Sequence, residues 1–216
     1  MTQATTSTTP RRALVVVDVQ NIYADGPLLI EYPPVQDSLQ RIGQAMDAAH
    51  AAGIPIIVVQ EDSFGKDTQG WKIHDVVASR PSDHHIHKTL PSAFTNTGLA
   101  AWLAERNIDT LSVVGYMTHN CNASTLFEAR HMGLNAEFLS DATGAVPYAN
   151  AAGRATAEEI HRVFSVVFES NFAAVVNTET WIAAVQAGTV LARGGIMASN
   201  ARAKEARDAD RQRHPT

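Results

Sequence analysis

The run Leu14, Val15, Val16, Val17 is apolar at every position and ends on an acid, Asp18. A strand that faces water on one side alternates apolar and polar residues. An unbroken β-branched run is apolar on both faces and has to be covered on both, as in the middle of a parallel sheet. The chain then repeats the unit. Val35, Leu39, Ile42, Met46 and Ala49 fall at helical spacing, so 35–52 reads as a helix that Gly53 ends. A second buried strand is expected over 54–59. Residues 60–81 show no period and read as a long loop with one short helix. Further strands are expected over 84–88, 111–115, 136–139 and 173–176, and helices over 98–106, 122–132, 151–166 and 178–187. Strands alternating with helices predict an α/β fold. Here that means a six-stranded, mainly parallel sheet with helices on both faces, a Rossmann-like three-layer sandwich.

Length and composition limit what this sheet can serve. The 216 residues suit one domain, expected over 13–197, with residues 1–12 as a disordered leader and 198–216 as a charged tail. Seventeen basic against 22 acidic residues leave a net charge of −5, which gives a nucleic-acid backbone nothing to pull on. No apolar run approaches the roughly 20 residues that span a bilayer, so no membrane is expected. Residues 1–10 lack the basic-then-apolar order of a secretory signal. A single cysteine, Cys121, forms no intramolecular disulfide and suits a reducing, cytoplasmic setting.

Open α/β sheets bind ligands beyond the carboxyl ends of their strands. The residues to weigh are therefore Asp18, Gln60, Lys88, Gly115 to Cys121, and Asp141. Taken alone, Asp18 reads equally as a cap, a metal-binding or phosphoaspartyl acid, or a catalytic carboxylate. On the strand His84 to Lys88, side chains alternate: His84, Ile86 and Lys88 share one face, His85 and His87 the other. Without further spaced ligands, these histidines read as exposed and partly stacked rather than as a metal site. Cys121 precedes an expected helix, whose free N–H groups and positive end favour a thiolate and an oxyanion. Asp18 and Lys88 end other strands of the same sheet, so all three can meet at one edge.

At these residues the chain resembles the isochorismatase-like cysteine hydrolases, which include nicotinamidases, carbamoylsarcosine and ureidoacrylate amidohydrolases, and isochorismatases. The matching blocks are Leu14 to Asn21, Lys88 with Ser92, Ala93 and Phe94, Val114 to Cys121 with Ser124, Thr125 and Ala129, and Ser140 to Gly144. The resemblance covers about 13–186. It implies Cys121 as nucleophile, Asp18 as general base and acid, and Lys88 as the cation between them. It implies a cis peptide at Tyr116–Met117 and an oxyanion hole made by the N–H groups of Met117 and Cys121. Phe64 stands where metal-binding nicotinamidases carry a His, so neither metal nor cofactor is expected. The implied reaction is hydrolysis of a C–N bond in a small carboxamide or carbamoyl compound through a thioester. A vinyl-ether hydrolase and a non-catalytic small-molecule-binding module are the alternatives. Tyr23, Trp71, Phe94, His119 and Tyr148 are the candidate pocket walls, and Glu31, Glu61 and Asp62 read as solvated surface acids, the alternative being a preference for a neutral or cationic substrate. The expected partners are a small amide substrate and, in a homo-oligomer, further copies of the chain.

Overall fold

A computed structural model describes residues 9–213. In chain order the elements are β1 (Arg12–Val17), α1 (Asn21–Ala24), α2 (Val35–Ala51), β2 (Ile56–Glu61), α3 (Asp75–Ala78), β3 (His84–Lys88), α4 (Leu99–Glu105), β4 (Thr110–Tyr116), a π-helical turn (Thr118–Asn122), α5 (Ala123–His131), β5 (Asn135–Gly144), β6 (Tyr148–Asn150), β7 (Gly153–Ala155), α6 (Ala157–Asn171), β8 (Ala174–Val176), α7 (Thr178–Ala187) and α8 (Ile196–Arg213). Six strands form one sheet in the order β3-β2-β1-β4-β5-β8, and every neighbouring pair is parallel.

The unbroken run in β1 is explained by its place in this sheet. Leu14 and Val16 point into one core with Leu39, Ile42 and Met46 of α2 and Trp181 of α7. Ala13, Val15 and Val17 point into a second core with Leu99 and Leu103 of α4, Leu126 of α5 and Phe168 of α6. The residues 13–17 are fully buried. At roughly 1.5–3 kcal/mol for each large aliphatic side chain buried, such a strand stabilises both layers at once.

The chain lays down β2 and β3 on one side of β1, then returns to place β4 on the other. The strand order therefore reverses between β1 and β4, and a crevice opens there beyond the strand ends. Gly115 makes the approach of these two strands possible. Its φ is +98°, and a Cβ built on it would lie 2.1 Å from the Val17 carbonyl oxygen.

Several boundaries differ from expectation. The helix expected over 151–166 starts at Ala157, because residues 148–155 fold as the antiparallel hairpin β6–β7. Its start is set by a capping box: Thr156 accepts from the Glu159 N–H, and Glu159 accepts from the Thr156 N–H. The second strand lies two residues later than expected, ending at Glu61. β5 continues to Gly144, so Asp141 lies within it and accepts hydrogen bonds from the Thr178 N–H and hydroxyl at the start of α7. Ordered structure begins before residue 13: Arg12 opens β1 and forms a buried ion pair with Glu137 at 2.8 Å. The rest of the expected leader, residues 1–8, lies outside the described residues. The charged tail is the solvent-exposed helix α8 as far as Arg213. No helix among the described residues is long and apolar enough to cross a membrane.

Candidate active site

Four strand ends meet at the crevice. Asp18 follows β1, Glu61 ends β2, Lys88 ends β3, and the turn bearing Cys121 follows β4. Glu61 and Lys88 are register partners across the β2–β3 pair. The Lys88 ammonium is the hub. Its Nζ lies 2.8 Å from Asp18 Oδ2, 2.9 Å from Glu61 Oε2 and 3.3 Å from Cys121 Sγ. Asp18, Lys88 and Cys121 are 0%, 3% and 3% exposed, so this contact is made almost without water. The structure thus brings together the three residues selected from sequence.

Glu61 is the residue that sequence reading misplaced. It is not a solvated surface acid but a buried carboxylate, 4% exposed, tied to the same ammonium. The signal was available, since Glu61 ends an apolar strand as Asp18 does. Gln20 holds this corner, accepting from the Glu61 N–H and donating to the Glu61 and Trp71 carbonyls.

Cys121 also sits differently from expectation. It does precede the helix α5, as expected, but from inside a π-helical turn that runs into that helix. Asn122 donates to the Gly115 carbonyl from its side chain at 2.8 Å and to the Met117 carbonyl from its N–H at 3.2 Å. Thr125 donates its hydroxyl to the Cys121 carbonyl and accepts from the Ala93 N–H, which fastens the segment after β3 to the cysteine turn. The Tyr116–Met117 peptide is cis, as the resemblance implies.

Electrostatics set the resting protons. Burial, with a smaller contribution from the Glu61 charge, raises the Asp18 carboxyl to about 6 against the pull of Lys88. Burial and the Asp18 charge push the Cys121 thiol well above its ordinary range, and Lys88 only partly offsets them. This reverses the expectation of a thiol depressed by its setting. Burial disfavours the Lys88 ammonium, yet the charges of Asp18 and Cys121 hold it above the usual lysine range. Near neutral pH the set therefore holds a thiol, an ammonium and an ionised Asp18, ready to accept a proton.

The five candidate wall residues divide. Tyr23 is fully buried, its hydroxyl has no hydrogen-bond partner among the described residues, and its ring packs edge-on against Phe64 at 5.9 Å. Phe64 is thus apolar packing against Tyr23. His119 has both ring nitrogens buried with no hydrogen-bond partner among the described residues, and it meets Tyr148 edge-on at 4.8 Å. Burial lowers its imidazole to about 4, so it is neutral at physiological pH. Phe94 belongs to the same core cluster as Cys121. Trp71 is a strut: its indole donates to Asp62 and its carbonyl accepts from Gln20 and Gln60. His84 stacks on Trp102, and His85 stacks on His87. Among the described residues, no group of three His, Cys, Asp or Glu could hold a metal ion.

Comparison with known proteins bears on this geometry. Residues 12–180 match the family profile described as the isochorismatase domain. A crystal structure from Burkholderia xenovorans LB400, described provisionally as an isochorismatase, is 61% identical, covers 93% of this chain and 100% of that one, and superposes with a TM-score of 0.91. The Bacillus subtilis (strain 168) isochorismatase-family protein YddQ is 27% identical over 178 residues, 79% of this chain and 98% of that protein. The ureidoacrylate amidohydrolase RutB of Stutzerimonas stutzeri (strain A1501) is 28% identical over 170 residues, 61% of this chain and 68% of that protein.

Proposed function

The chain belongs to the isochorismatase family of hydrolases, and on that premise we propose that it is a cysteine hydrolase acting on a small carboxamide or carbamoyl compound through a thioester. One observation carries this reading: a single buried ammonium, Lys88, touches both a carboxylate, Asp18, and a thiol, Cys121. A structural ion pair would not need the sulfur. The similarity to a ureidoacrylate amidohydrolase supports C–N rather than ether cleavage.

Asp18 takes the thiol proton as Cys121 Sγ attacks the carbonyl carbon. The N–H groups of Met117 and Cys121 hold the resulting oxyanion. Asp18 then gives the proton to the leaving nitrogen, and ammonia or an amine departs as the C–N bond breaks. Water enters and loses a proton to Asp18 as it attacks the thioester. The C–S bond breaks, the acid leaves, and the proton returns to sulfur. Lys88 stays charged throughout and balances the negative charge as it moves between Asp18 and Cys121. The enzyme acts without metal or cofactor, as a cytoplasmic homo-oligomer.

The test is an ammonia-release screen over primary amides, ureas and carbamoyl compounds, repeated during iodoacetamide labelling followed by intact mass. Activity on one of these compounds, lost in step with one adduct on Cys121, is expected. Full activity in the singly labelled protein rejects the nucleophile assignment.

A further inference from the structure

His161 fastens the nucleophile turn from outside. It lies in the second turn of α6, whose start is fixed by the Thr156–Glu159 capping box. Its Nδ1 is 2.9 Å from the hydroxyl of Thr118, the first residue of the π-helical turn that carries Cys121. Thr118 is fully buried and His161 is 5% exposed. Among the described residues this is the only side-chain hydrogen bond between the turn and α6.

A buried imidazole is a costly way to fill a core. The surroundings of His161 are aromatic: Tyr32 meets its ring edge-on at 5.5 Å, and Phe138 lies tilted at 6.2 Å. An apolar ring would pack there without desolvating two nitrogens, so the bond to Thr118 is what a phenylalanine could not supply. Burial lowers the imidazole to about 4. A backbone hydrogen bond with Ser140 opposes this, and the His119 charge adds to it. The ring is therefore neutral at physiological pH, and its bond to Thr118 does not come and go with a charge.

The place of Thr118 gives this bond its consequence. Thr118 directly follows Met117 and lies three residues before Cys121, between the two N–H groups assigned to the oxyanion. The other side-chain bonds of the turn act at or after the cysteine: Lys88 on the sulfur, Thr125 on the Cys121 carbonyl, and Asn122 on the Gly115 carbonyl. Among the described residues, only the His161 contact grips a side chain at the beginning of the turn. A pair of N–H groups stabilises an oxyanion best when its direction is set before the reaction starts.

We propose that His161 is a positioning residue: through the Thr118 hydroxyl it fixes the backbone of the nucleophile turn so that the Met117 and Cys121 N–H groups converge on the oxyanion. This rests on the cysteine-hydrolase reading above and adds a residue to it.

The test separates oxyanion stabilisation from the reactivity of the sulfur. Addition of the thiol to acetaldehyde forms a C–S bond and leaves the former carbonyl oxygen, which takes up the thiol proton, where the oxyanion would lie. Alkylation by iodoacetamide forms a C–S bond with loss of iodide and makes no oxyanion. Isotope-labelled acetaldehyde is titrated into the protein and followed by carbon NMR. Cys121 is the only cysteine, so the thiohemiacetal signal belongs to it and vanishes in Cys121→Ala. His161→Phe and Thr118→Val should each weaken this adduct, and lower kcat for ammonia release with KM held, by about tenfold. The double variant should be no worse than either single one. Thr118→Ser keeps the hydroxyl and should restore most of what Thr118→Val loses. Iodoacetamide should alkylate Cys121 at the parent rate in all of them. Thr118→Val decides alone if His161→Phe does not fold. Losses that add in the double variant, or alkylation slowed as much as the adduct is weakened, overturn the proposal. An adduct or ammonia release in the parent that both single variants leave unchanged removes the positioning role and keeps the reaction. A parent that gives neither removes the hydrolase reading, and the proposal with it.

Discussion

At the scale of residues, the site is a contest between burial and charge. Asp18 and Lys88 were legible because each closes a strand, and Cys121 because it follows one. Glu61 obeys the same rule, but it lies beyond the strand end expected at residue 59, so it was placed on the surface. The thiol's setting was misread for a different reason. A sequence shows a helix start but not the burial depth of the sulfur, and here burial outweighs both the turn and the ammonium. The Glu61 charge raises the Asp18 pKa, so Glu61→Gln should lower it. If Asp18 must be ionised to take the thiol proton, kcat/KM rises with pH through about 6 in the unsubstituted protein. In Glu61→Gln that acid limb should move to lower pH. A pH–rate profile on any hydrolysed amide reads the shift, and an unmoved limb would show that Glu61 does not act on the base.

At the scale of elements, strongly periodic segments were readable and irregular ones were not. The helices of residues 35–51 and 178–187 and the strand of residues 84–88 lie within a residue of expectation. The hairpin of residues 148–155 was missed and its second half absorbed into a helix expected from residue 151, since Tyr148, Ala149, Ala151 and Ala152 carry no strand pattern. Only the capping pair Thr156 and Glu159 marks the true helix start. The hairpin therefore came to light only in the folded chain. Gly115 shows how one backbone position serves the site. Gly115→Ala would force a Cβ against the Val17 carbonyl at the β1–β4 contact, in a conformation that disfavours any side chain. The expected cost is at least about 2 kcal/mol, in the range of overpacked sites, together with a fall in kcat as Asp18 and Cys121 separate. Thermal unfolding and steady-state kinetics on the variant check both, and unchanged stability would contradict the close approach.

At the scale of the molecule, the two ends of the sheet carry different burdens. The carboxyl ends hold the reactive set. The other end holds a buried network in which Glu137 accepts from Arg12, Ser112 and the Trp181 indole. Removing one partner from such a network leaves a charge uncompensated, at about 3–5 kcal/mol. Glu137→Gln should therefore lower the unfolding temperature markedly while the acid limb of the folded enzyme stays in place. A shifted limb would show that the two ends are coupled. The six-stranded parallel sheet and the helices on both its faces follow from the alternation of apolar runs and were expected, whereas the strand order came only from the folded chain. The division of labour between the ends depends on which polar groups are buried together, which no single segment reveals. The central claim is that Cys121 carries the acyl group, and the most direct measurement is ammonia release by Cys121→Ala protein that folds as the parent does. Release reduced to the uncatalysed background is the predicted result, and release at the parent rate would contradict it.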